Sequence, residues 1–194
     1  MHDRRGARRR RRAPVALALL LLAPACGDDP DPTPAEVAAG VCAASIRWRD
    51  DLGDLVEELS RAGVGEDDVG RRKALLVGFV EDGRARTDGL VEDVRDAGVD
   101  GPAEAALVAG ADEIRAVWDE ALALAEGFPD EQDDESFPFR GIQLVHYSEQ
   151  TAAVWKSALQ EARVAGDPAL TQALAEEPTC EVIPRTADTV GEAG

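Results

Sequence analysis

From Val37 to Leu174 the apolar residues of this 194-residue chain recur every three or four positions, and the rhythm breaks at only four places. A repeat of that length lines up one face of an α-helix, whereas a strand needs a repeat of two. The breaks fall at Ala62-Gly63, Gly98 to Pro102, Phe128 to Pro138 and Gly166-Asp167-Pro168, where glycine and proline end or restart helices. No segment combines apolar/polar alternation with β-branched enrichment, so no sheet is expected. The expected fold class is all-α, an up-down-up-down four-helix bundle with a short fifth helix at its C-terminal end.

Local signals place the helices. Thr33-Pro34-Ala35-Glu36 has the residues of a capping box with proline at the first helical position. Val37, Val41, Ala44, Trp48, Leu52, Leu55, Leu59 and Ala62 then form one stripe, and Gly63 is expected to close the helix in the left-handed conformation. The second helix starts in the acids around Glu66-Asp67-Asp68 and runs to Gly98. Gly78, Gly83 and Gly89 inside it each cost up to ~1 kcal/mol against alanine. They mark close packing, a kink, or a groove that takes a small apolar ligand or a partner helix. Asp100-Gly101-Pro102 opens the third helix and Gly127 stops it, while Phe128 to Pro138 is expected to be a loop. The fourth helix runs from about Gly141 to Val164 with Ile142, Val145, Ala152, Trp155 and Leu159 on its apolar stripe. A short fifth follows from Pro168 to about Glu177. Trp48, Trp118 and Trp155 fall on three different helices and are expected to pack in the core. Asp67/Arg71, Asp68/Arg72, Glu57/Arg61 and Asp82/Arg86 have the spacing of ion pairs along a helix.

The N-terminus is of another kind. Seven arginines crowd the first twelve residues, and Ala13 to Leu22 is an apolar run of about ten, too short to cross a bilayer. A charged head followed by a short apolar stretch is the pattern of a secretory signal peptide, so residues 1–25 are expected to direct export. Leu22-Ala23-Pro24-Ala25-Cys26-Gly27 follows, small residues leading into a cysteine, and it resembles the lipobox of bacterial lipoproteins. The resemblance implies that the Cys26 thiol receives a diacylglyceryl group, that cleavage falls just before it, and that the chain is held in the cell envelope by acyl chains of the palmitate kind. Two chains anchor firmly where one holds only marginally. Residues 26–34, rich in aspartate and proline, read as a stiff acidic tether, 35–182 as the helical bundle, and 183–194 as a flexible tail.

Three cysteines are an odd number for an exported chain. With Cys26 lipidated, Cys42 and Cys180 remain to oxidise outside the cytoplasm. In an up-down-up-down bundle the start of the first helix and the end of the fourth share one end. Cys42 and Cys180 would then be neighbours, and a disulfide between them is expected.

Composition narrows the function. Removing the first 25 residues takes away seven arginines and Asp3, leaving 14 basic and 38 acidic side chains and a formal charge of −24. Such a body repels phosphate backbones, which argues against nucleic-acid binding. There is no Gly-x-Ser-x-Gly elbow and no Gly-x-x-x-x-Gly-Lys loop, and thiol catalysis would need a sulfur that the bridge consumes. No catalytic residue and no cofactor are expected. His146 and Glu149 form His-x-x-Glu, a pattern that resembles the motif of imelysin-like exported helical proteins and otherwise reads as an ordinary polar pair on a helix face. A metal normally takes three or four ligands, and a ferritin-like site needs two Glu-x-x-His motifs. Asp130, Glu131, Asp133, Asp134 and Glu135 supply oxygen ligands without the spacing of a calcium loop, and read as a solvated acidic segment. The expectation is a non-catalytic envelope lipoprotein, attached to the membrane at Cys26, whose bundle binds a protein partner or small ligand. The rival is a metal-cation handling protein using His146, Glu149 and neighbouring acids.

Overall fold

Helices form where the apolar rhythm runs, and a computed structural model describes them across residues 31–128 and 136–177. α1 spans Pro34–Gly63, α2 Val69–Asp96, α3 Gly101–Glu126, α4 Ser136–Ala165 and α5 Pro168–Glu176. Among the described residues there is no strand, and no helix is long and apolar enough to cross a membrane. The expected signal peptide, Cys26, the five acids between Asp130 and Glu135, and Cys180 all lie outside the described residues.

The start of α1 follows its sequence closely. Thr33 Oγ1 accepts from the Glu36 backbone N–H at 3.3 Å, and the Glu36 carboxylate accepts from the Thr33 backbone N–H at 2.8 Å. The backbone N–H of Thr33 and then its hydroxyl hold the Glu36 carboxyl below its usual range, because they bond the ionised form. A depressed folded value stabilises the fold above the unfolded value, and that contribution is lost as pH falls through the folded one. In an NMR titration Glu36 is expected to protonate below the usual glutamate range, and to move only part of the way back in Thr33→Ala, which loses the hydroxyl but keeps the backbone N–H.

Three local expectations change. α1 ends at Gly63, but the left-handed residue is Gly65, at φ +76°, two positions later. α4 begins at Ser136 rather than near Gly141, so Phe137 to Arg140 are helical. Pro138 is tolerated there because the first-turn N–H groups have no intrahelical acceptor. The ion pairs also redistribute. Glu57 and Arg61 pair as spaced, but Asp68 caps α2 by accepting from the Arg71 N–H, Arg72 reaches Asp67, and Arg86 crosses to Asp51 of α1.

Small residues set how closely the helices approach. A Cβ on Gly40 of α1 would lie 2.7 Å from Ala97 Cβ just after α2. One on Gly83 of α2 would lie 2.7 Å from the Trp118 ring of α3, and one on Gly110 of α3 only 2.2 Å from Ala158 Cβ of α4. Each seam therefore closes to a distance that a side chain would prevent.

The tryptophans are core residues, as expected, with Trp118, Trp155 and Trp48 all buried. Two of them use the same device. Trp118 Nε1 donates to Thr87 Oγ1 at 3.1 Å, and that hydroxyl donates to the Gly83 carbonyl at 3.0 Å. Trp155 Nε1 donates to Ser45 Oγ at 2.9 Å, and that hydroxyl donates to the Val41 carbonyl at 2.7 Å. Thr87 and Ser45 thus sit inside an apolar core with their polar atoms satisfied, and each ties two helices together. Phe79 meets Trp118 edge-on at 6.0 Å, and Trp48 lies tilted against Trp155 at 6.1 Å.

Candidate functional site

α4 packs most extensively on α3, and α2 on both α1 and α3, but α1 and α4 meet only sparsely. Their seam is closed in the middle by Trp48, Trp155 and Ser45. At one end α5 lies across both helices and buries Leu170 and Leu174. At the other end nothing comparable covers it among the described residues. The seam opens there into a groove of about 440 Å³ lined by the last turn of α1 and the first turns of α4.

The lining is apolar. Leu59, Gly63 and Val64 stand on the α1 side and Phe137, Ile142 and Val145 on the α4 side. Phe137 forms the base, its ring against Gly63, where a Cβ would lie 2.9 Å away. Phe128 meets Phe137 edge-on at 6.0 Å, and the Arg72 guanidinium sits 5.5 Å from the Phe137 ring centre. These contacts fix the floor. The rim is different, since Val64 is 83% exposed and Ile142 70% exposed. Four large apolar side chains are exposed among the described residues, and two of them border this one groove.

The sequence placed Ile142 on the inward stripe of α4, and the structure does not. The buried line of α4 runs through Phe137, Leu144, Ser148, Thr151, Trp155, Ala158, Leu159 and Ala162. Ser148 and Thr151 occupy core positions by donating to the carbonyls of Val145 and Ser148. An apolar count passes over these two hydroxyls and shifts the stripe toward Ile142. The groove was missed for the same reason, since its rim looks like core in a sequence.

The glycines of α2 play different parts. Gly83 is filled by Trp118, and Gly78 borders only a pocket of about 140 Å³ between α1 and α2. Gly89 borders a depression of about 360 Å³ with Trp48, crossed by the pairs Arg47–Asp93 and Arg86–Asp51.

His146 Nδ1 lies 3.5 Å from Glu149 Oε2, with both side chains largely exposed. No group of three His, Cys, Asp or Glu side chains suited to a metal gathers among the described residues. Two exposed donors make at most a weak, open cation contact. Cys42 is buried in α1, and Cys180 lies outside the described residues.

Among the described residues these features define a helical bundle with an open, apolar-rimmed seam. Comparison with family models, curated proteins and solved structures finds no match to this chain.

Proposed function

We propose that the chain is a bacterial cell-envelope lipoprotein, anchored by lipid at Cys26, whose bundle binds a partner protein or a small apolar ligand and catalyses no reaction. The groove between α1 and α4 carries the binding reading. A soluble body seldom leaves large apolar side chains clustered in water without something to cover them.

The bundle is read as up-down-up-down. Along α1 and α2, Gly40 meets Ala97 and Asp51 meets Arg86. Along α2 and α3, Arg84 meets Asp119 and Asp88 meets Arg115. Along α3 and α4, Gly110 meets Ala158 and Leu124 meets Arg140. Along α1 and α4, Ser45 meets Trp155 and Gly63 meets Phe137. In each pair the numbers rise on one helix as they fall on the other, which supports antiparallel neighbours. The 30 residues of α1 reach about 45 Å at 1.5 Å per residue. The groove at the Gly63 end of α1 therefore lies about that far from Thr33, where the described chain enters the bundle.

The Cys42–Cys180 bridge belongs to the same reading. Thr33 and Glu177 border one depression, so α1 starts where α5 ends. Cys42 lies about 12 Å along α1 from Pro34, and the three residues from Glu177 to Cys180 span up to about 10 Å. The two reaches are matched.

Intact mass and non-reducing peptide mapping of the membrane fraction test the anchor and the bridge together. A diacylated N-terminal Cys26 and a linked Cys42/Cys180 peptide are expected, and Cys26→Ser should move the chain out of the membrane fraction. An unprocessed leader with an unmodified Cys26 overturns the anchor. For binding, a photo-crosslinker placed at Ile142 in intact cells should give a discrete adduct that the same crosslinker at Glu120 on α3 does not. Identical patterns at both positions overturn the docking role.

A further inference from the structure

We propose that the groove between α1 and α2 beside Gly78 is a binding site for a small organic cation, a primary amine carried on a ring-sized apolar body. The inference stands apart from the α1/α4 groove and from the docking role proposed for it. Glu58 of α1 and Asp82 of α2 both border this groove. Their register can be read from an ion pair in the same seam, where Arg47 of α1 meets Asp93 of α2 at 2.9 Å. Glu58 follows Arg47 by eleven residues, and Asp82 precedes Asp93 by eleven. Both steps are about three helical turns, so the two carboxylates stand opposite one another as that pair does. Like charges so placed repel, and a cation between them is attracted by both. No base of the described chain fills that role. Arg86, four residues after Asp82, pairs with Asp51, and Arg61, three residues after Glu58, pairs with Glu57. Among the described residues neither Glu58 nor Asp82 has an ion-pair partner. By contrast Asp51, Asp93, Asp88 and Asp119 each meet an arginine across the α1/α2 or α2/α3 seam.

The lining between the acids selects the body of the ligand. Leu55, Leu59 and Phe79 are buried, Leu75 is half-buried, and all four line the groove. Gly78 keeps it open, since a Cβ there would meet nothing within 4 Å. The groove measures about 140 Å³, and an apolar cavity of ~150 Å³ takes a benzene ring. A bare metal ion would leave this apolar surface unused, and two carboxylates fall well short of the roughly six to eight oxygens that calcium takes. An amine one carbon from a ring uses both features, with the ring on the leucines and the ammonium between Glu58 and Asp82.

The test is a methyl NMR titration of the full chain, labelled at leucine and valine, in nanodiscs of zwitterionic lipid. Three probes share one ring and differ in charge: benzylamine, benzyl alcohol and benzoate. Methylammonium and calcium supply the cation without the ring. Benzylamine is expected to shift the methyl signals of Leu55, Leu59 and Leu75, to bind about fivefold more tightly than benzyl alcohol, and to weaken as salt rises. Benzoate and methylammonium should leave those signals in place. Glu58→Gln combined with Asp82→Asn should erase the preference for benzylamine while benzyl alcohol binds as before. Gly78→Leu fills the groove from a position where a side chain has room, and should abolish the shifts. Gly53→Ala, outside the lining, should bind like the parent chain, and circular dichroism confirms the fold of each variant. Equal affinity for benzylamine and benzyl alcohol, or shifts that survive Gly78→Leu, overturns the inference. Methylammonium or calcium bound as tightly as benzylamine also overturns it, because the acids are then only an unselective cation contact. Benzylamine that shifts Val64 and Val145 instead lies in the α1/α4 groove, which overturns the inference and leaves the docking role in place. No shift with any probe overturns it as well, without touching the docking role.

Discussion

Trp118→Ala should lower the unfolding free energy by about 3 to 5 kcal/mol, the range for removing a buried aromatic from a core that cannot collapse around the gap. Trp118 is fully buried, seats its ring against Gly83 and Phe79, and spends its indole N–H on Thr87. The substitution therefore opens a cavity in the α2/α3 seam and leaves the buried Thr87 hydroxyl without its donor, although it still donates to the Gly83 carbonyl. Domains of this size are stable by only about 5 to 15 kcal/mol, so the variant should be marginal in urea unfolding. Trp118→Phe should lose less, because most of the ring contact survives. A loss under about 1 kcal/mol for the alanine variant would contradict this packing.

The second large effect is expected at Gly110→Leu, at about 3 kcal/mol. Here the chemistry is opposite, since nothing is removed. A Cβ alone would stand 2.2 Å from Ala158 Cβ, and a leucine adds three more carbons to a gap already too narrow. α3 and α4 must part, and they are the most extensively packed pair in the molecule. The melting temperature should fall by roughly 10 °C for a domain of this size. Gly53 provides the control, for a Cβ there meets nothing within 4 Å. Gly53→Ala on α1 should raise stability by up to about 1 kcal/mol through helix propensity alone. Two glycines inside helices thus predict opposite signs, and thermal melts of both variants decide it. Equal shifts would mean that the α3/α4 approach is not set by Gly110.

The helices were legible because each boundary carries local chemistry. The Thr33/Glu36 box, Asp68 before α2, Pro102 opening α3 and Asp167-Pro168 before α5 all act within a turn of where they stand. The start of α4 was not legible. Phe137 draws its segment into the helix by packing on Phe128, Gly63 and Arg72, partners from three other parts of the chain. The groove was hidden for a related reason. Whether Ile142 faces core or water depends on Ser148 and Thr151 entering the core, and their hydroxyls can do so only by bonding helix carbonyls. That depends on rotamer and seam, which a pattern of apolar residues does not encode. The ion pairs teach the same lesson, since Arg86 had an acid at helical spacing and yet pairs across the seam with Asp51.

Thr33 and Glu177 border the same depression, and this has an engineering consequence. A domain whose two ends emerge side by side can be spliced into a surface loop of a host protein without forcing the host's strands or helices apart. The bundle from Thr33 to Glu177 is therefore suited to grafting as an insert, with its open seam at the end of α1 away from the graft point.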